Sequence, residues 1–147
     1  MNPRSQARAA ARLAAVQALY QQAMEATPLP MLLDEFHRHR LGATIEGMEF
    51  NAAETAFFDD IVQGVVARGA EIDAQVSAKL AEGWRLERLD KTMLQVLRAG
   101  AYELIARPDI ATGTVISEYV DVAHAFFDAR EAKFVNGVLD AVAKAVR

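Results

Sequence analysis

Three arginines near the start of the chain are spaced so that a helix would bring them together. Arg4, Arg8 and Arg12 lie four residues apart, so on a helix each step turns about 40° around the axis and the guanidinium groups form one ridge. No acid occurs between Met1 and Met24, and Ala9, Ala10 and Ala11 stand between the last two arginines. Such a ridge is either an ordinary solvated helix face or a track for a phosphate backbone, which small intervening side chains allow to approach. Tyr20, two turns beyond Arg12, either joins the core with its hydroxyl at the surface or offers a ring on which an unpaired base can stack.

A second group lies in Lys133-Phe134-Val135-Asn136-Gly137-Val138-Leu139. Lys133, Phe134 and Asn136 supply a cation, a ring and an amide within one turn, enough to touch a phosphate and a base, although Phe134 equally suits a core position. Gly137 inside a helix costs about 1 kcal/mol relative to alanine. Close approach by a neighbouring helix is the structural explanation for it.

Catalytic chemistry finds no comparable grouping. The absence of cysteine excludes disulfides and thiolate metal sites. His37 and His39 would point about 200° apart on a helix and cannot share a metal there, and His124 is isolated. Asp59 and Asp60 diverge by about 100° and read as solvated charge. There is no glycine-rich phosphate loop and no nucleophile with a base. The expectation is a binding protein, without catalytic residues, metal or cofactor.

The elements that must position these residues read as helix throughout. Leu13, Val16, Tyr20 and Met24 form a stripe in a first helix from Arg4 to Met24, which Pro28 and Pro30 follow. A shorter helix from Leu29 to Leu41 carries Leu32, Leu33 and Phe36, and Gly42 closes it. After a loop from Gly42 to Phe50, Asn51 and Glu54 approximate a capping box for a third helix with Phe57, Phe58, Ile61, Val65 and Val66. Gly69 interrupts, and Ile72, Val76 and Leu80 continue to Gly83. Asp90 can cap a fifth helix that Pro108 ends, a sixth starts at or just before Thr114, and a seventh follows Asp128.

The pattern predicts an all-α fold of about seven helices in one domain, 1–147, made of two packed helical subdomains. These are expected over about 1–82 and 83–147, with Trp84 packed between them. At 147 residues one compact domain is the economical reading. A net charge of −4 argues against holding nucleic acid by a general positive field, so the local basic stretch matters more. The N-terminus lacks the apolar core of a secretory signal, and no stretch approaches the roughly 18–20 apolar residues of a membrane span. A cytoplasmic protein with no membrane association is expected.

Four segments together resemble the NusB family of bacterial transcription antitermination factors. They are Ala15-Val16-Gln17-Ala18-Leu19-Tyr20 after an arginine-bearing start, Trp84 ahead of Leu97-Arg98-Ala99-Gly100-Ala101-Tyr102-Glu103-Leu104, Val115-Ile116-Ser117-Glu118, and the Lys133 to Leu139 run. They stand in the family's order and span nearly the whole chain. The resemblance implies a NusB-like bundle that pairs with the ribosomal protein acting as NusE, binds boxA-type RNA, notably in ribosomal RNA operons, and joins the RNA polymerase elongation complex. It carries RNA contact onto Arg8, Arg12, Tyr20, Lys133 and Phe134, and the ridge adds Arg4. Met93 and Leu94 stand where many relatives have an acid and a base, and Arg130 stands where some have an acid. Two other readings remain at this level. One is a structural helical interaction module, such as a homodimer that masks its arginines. The other is a domain related to the N-terminal part of ribosomal RNA cytosine methyltransferases.

Overall fold

The structure is a computed structural model that describes residues 3–41 and 52–147; for Pro3, Arg4, Arg40, Leu41, Ala52 and Ala53 it describes the backbone alone. Among the described residues there are seven α-helices: α1 (Pro3–Glu25), α2 (Leu29–Phe36), α3 (Ala52–Ala67), α4 (Gly69–Ala78), α5 (Lys91–Ala106), α6 (Thr112–Phe126) and α7 (Ala129–Val146). The all-α architecture expected from sequence is the one observed. The loop from Gly42 to Phe50, the closing role of Gly42 and the cap at Asn51 lie outside the described residues.

The chain divides into two compact units, Met1–Gly64 and Val65–Arg147. This division lies earlier than the junction at Gly83, because α4 packs against α5 and α7 and so belongs with the C-terminal helices.

In the first unit, α1 buries a face made largely of alanine: Ala11, Ala14, Ala15, Val16, Ala18 and Leu19 are all buried. The expected stripe is corrected at its end, since Tyr20 is 39% and Met24 53% exposed. Alanine is nearly neutral on hydropathy, so periodicity followed the larger side chains and chose the wrong edge of the helix. Ala26 ends α1 with φ +54°, a left-handed conformation that glycine usually supplies. Pro30 occupies the first turn of α2, where its missing N–H leaves no helical bond unmade. Leu32, Leu33 and Phe36 are buried on α2, and Phe36 stacks on Phe58 at 5.6 Å. The chain continues as a π-helical turn over His37–Leu41, where a plain α-helix was expected. At its start His37 Nε2 lies 2.6 Å from Asp59 Oδ1. Asp59 is therefore a half-buried partner of His37, correcting its reading as solvated charge.

In the second unit, α5, α6 and α7 pack on one another. Asp90 caps α5 as its sequence position suggested, its carboxylate accepting from the N–H groups of Thr92 (2.8 Å) and Met93 (3.1 Å). Gly100 on α5 lets α7 come close: a Cβ there would stand 2.7 Å from Leu139 Cδ1. Tyr119 of α6 donates its hydroxyl to the buried carboxylate of Glu103 on α5, joining two helices through a polar contact away from water. The Arg147 guanidinium donates to the carbonyls of Leu104 (2.9 Å), Arg107 (2.8 Å) and Ile110 (2.7 Å). It thus satisfies acceptors left open where α5 ends. Met93 and Leu94, the two departures from the family pattern, are both buried.

Candidate nucleic-acid interface

Arg8 and Arg12 lie one turn apart on α1, and both guanidinium groups rest over the ring of Phe57 on α3, 4.9 and 5.0 Å from its centroid. Phe57 is buried, and Arg12 is only 2% exposed. Glu54, one helical turn before Phe57, is equally buried and puts a carboxylate on the same side of α3. A guanidinium on an aromatic face gains about 0.5–1 kcal/mol when exposed and about 2 when desolvated. The arginine stem adds apolar contact of its own. Arg12 is therefore a core residue, which corrects its placement on a solvated ridge. Arg8 is half-buried, and the side chain of Arg4 lies outside the described residues.

No helical spacing pairs Arg8 and Arg12 with Phe57, which is distant in sequence. Sequence reasoning placed Phe57 in the core but missed that it carries two cations. Tyr20, on α1 beyond Arg12, turns its ring partly to solvent, as a stacking group must.

The late motif lies on α7, and there the surface is open. Arg130, Lys133, Asn136 and Gly137 are exposed, while Phe134 is half-buried. Arg130, Lys133 and Gly137 are spaced i, i+3, i+7 and so share one helix face. Neither cation has a side-chain ion pair or hydrogen bond among the described residues. Among the described residues a Cβ on Gly137 would meet nothing within 4 Å, so the close approach of a neighbouring helix expected there is not found among them; it occurs at Gly100 instead. Trp84 also departs from expectation. It is 56% exposed, where a packed position was expected.

Among the described residues no group of three or more His, Asp or Glu side chains is arranged to hold a metal ion. No helix is long and apolar enough to cross a membrane, again among the described residues.

These features define a small all-helical class of binding protein, in which cations, rings and amides stand on helix faces. Residues 9–144 match the model of the NusB family. The chain belongs to that family. It is 73% identical to the transcription antitermination protein NusB of Novosphingobium aromaticivorans, over 96% of this chain and 95% of that one. It is 65% identical to the NusB of Sphingopyxis alaskensis, over 100% of this chain and 99% of that protein. Among solved structures, NusB of T. maritima superposes with a TM-score of 0.78 at 30% identity, covering 93% of this chain and 90% of that one. A structure of the antitermination factors NusB and NusE in complex with dsRNA gives 0.79 at 28% identity, covering 95% of this chain and 98% of that one.

Proposed function

We propose that this chain is an RNA-binding transcription antitermination and elongation factor. It pairs with the ribosomal protein acting as NusE, binds boxA-type RNA, notably in ribosomal RNA operons, and acts in the cytoplasm on the RNA polymerase elongation complex. It works by binding, not by catalysis. Family membership sets the class, and the structural neighbour solved with NusE and dsRNA supports the choice of partners.

The observation that carries the reading is the face of α7, where Arg130 and Lys133 are exposed without a partner among the described residues beside an uncovered Gly137. An exposed glycine in a helix interior costs about 1 kcal/mol and here has no packing to offset it. A ligand lying against the bare backbone gives it a use. Lys133 and Arg130 then meet phosphates, Asn136 reaches a base edge, and Phe134 supports the turn that presents them. On α1, Arg8 offers a guanidinium already oriented by Phe57, and Tyr20 offers a ring.

The test is binding of a boxA-type RNA and a scrambled RNA of equal length by the chain with NusE. The expected result is tighter binding of the first, weakened by Lys133→Ala with Arg130→Ala. Equal affinity for the two RNAs removes the antitermination reading. A mass by light scattering that stays dimeric with or without RNA favours the homodimeric interaction module.

A further inference from the structure

Phe57 holds two guanidinium groups in different surroundings. The Arg8 and Arg12 groups lie 4.9 and 5.0 Å from the centroid of its ring. Arg12 is 2% and Phe57 4% exposed, so both belong to the interior. Arg8 is half-buried, one turn nearer the start of α1. Ala9 and Ala10, half-buried, and Ala11, buried, separate the two arginines, and none has a side chain long enough to steer a guanidinium. Glu54 and Asp60 stand one turn before and after Phe57 on α3, so the helix that carries the ring also carries carboxylates to offset the two charges. The outer cation is thus held by a buried ring whose inner cation has no access to a ligand.

An arginine that grips a phosphate from an open surface gives up rotamer freedom at that moment. One already laid against a ring gave it up when the chain folded. Contact with a ring engages the face of a guanidinium and leaves the N–H fork, which lies in its plane. With five donors, a guanidinium that uses one within the fold keeps others for a phosphate. Arg8 has the exposure to present them.

We propose that Phe57 and Arg12, untouched by RNA, are positioning residues for RNA binding. Arg12 fills the inner place at the ring, and Phe57 holds the Arg8 guanidinium at the outer one, oriented for a phosphate before RNA arrives. This role rests on the RNA-binding reading above. It has Arg12 act through Arg8, where the family resemblance implies direct contact.

The test is a cycle of four proteins: the unaltered chain, Arg8→Ala, Phe57→Leu and the double variant. Each full chain, with NusE, is titrated with boxA-type and scrambled RNA at several salt concentrations. Phe57→Leu removes the ring and keeps an apolar side chain in the core. It should weaken binding about two- to fivefold, the worth of an exposed cation on a ring, when Arg8 is present, and not at all when Arg8 is absent. Arg8→Ala should lower the salt slope by about 0.7, one phosphate on a single strand. Phe57→Leu and Arg12→Met should leave the slope unchanged, because neither removes a phosphate contact. Phe57→Tyr keeps the ring and should bind like the unaltered chain. Thermal melting identifies the variants that fold, and Arg8→Lys tests the same role without touching the core. It keeps the charge but loses the flat guanidinium, and should weaken binding at unchanged slope.

Equal weakening by Phe57→Leu with and without Arg8 overturns the positioning role, since the ring then serves the fold alone. A slope lowered by Arg12→Met overturns it by placing Arg12 on a phosphate, and full affinity in Arg8→Lys overturns it too. Equal affinity of the unaltered complex for the two RNAs removes the antitermination reading instead, and the cycle run on either RNA still decides whether Phe57 acts through Arg8.

Discussion

A guanidinium that is itself buried on a buried ring cannot reach a phosphate without opening the fold. Arg12 is in this position, and Arg8, over the same Phe57 but half-buried, is not. The two arginines therefore separate experimentally. Arg12→Ala should lower stability by about 2–4 kcal/mol, since it removes packing and leaves buried polar neighbours without the charge they were built around. Arg8→Ala should cost less than about 1 kcal/mol in stability yet weaken RNA binding. Chemical denaturation and RNA titration of both variants check this, and a stability loss for Arg8→Ala equal to that for Arg12→Ala would contradict it. Charge spacing in the sequence identified the row of arginines but not its inner and outer members. That distinction depends on a phenylalanine from another helix, and local periodicity contains no information about it.

At the scale of elements, two positions show how the helices are stopped and brought together. Ala26 closes α1 in a left-handed conformation that a Cβ disfavours, by about 1 kcal/mol. Ala26→Gly should therefore raise stability by up to about 1 kcal/mol, seen as a higher denaturation midpoint with an unchanged slope. Gly100 is the opposite case. A methyl there would press on Leu139, which is fully buried and has little room to move, so Gly100→Ala should destabilise by about 1–2 kcal/mol despite its better helix propensity. Combining it with Leu139→Val should cost about 1 kcal/mol less than the sum of the single changes. Strict additivity in that cycle would mean the contact does not limit packing. The helices themselves were legible because Pro28, Asp90, Pro108 and Asp128 punctuate the chain, and each has a local physical effect. The π-helical turn at His37–Leu41 and the alanine face of α1 were not. The first leaves no distinct mark in residue type, and the second has almost no hydropathy contrast.

For the molecule as a whole, the net charge of −4 limits what electrostatics can contribute to affinity. Each phosphate neutralised on a single strand adds about 0.7 to the slope of log affinity against log salt. Few cations are free to do this, so the chain alone should show a slope of magnitude about 2–3. The complex with a basic partner should show a steeper one. Titrations across a range of salt give both values, and a steep slope for the chain alone would mean that cations engaged within the fold are released on binding. The burial of Arg12 against Phe57 has a further consequence in a crowded cell. Unrelated RNA there vastly outnumbers any one regulatory element, and the occupancy of a rare target depends on the ratio of its affinity to that of the competing majority. Folding a cation into the interior weakens attraction to every phosphate chain alike. Contacts that depend on a particular base are left unchanged, so the chain is less readily sequestered by the wrong RNA.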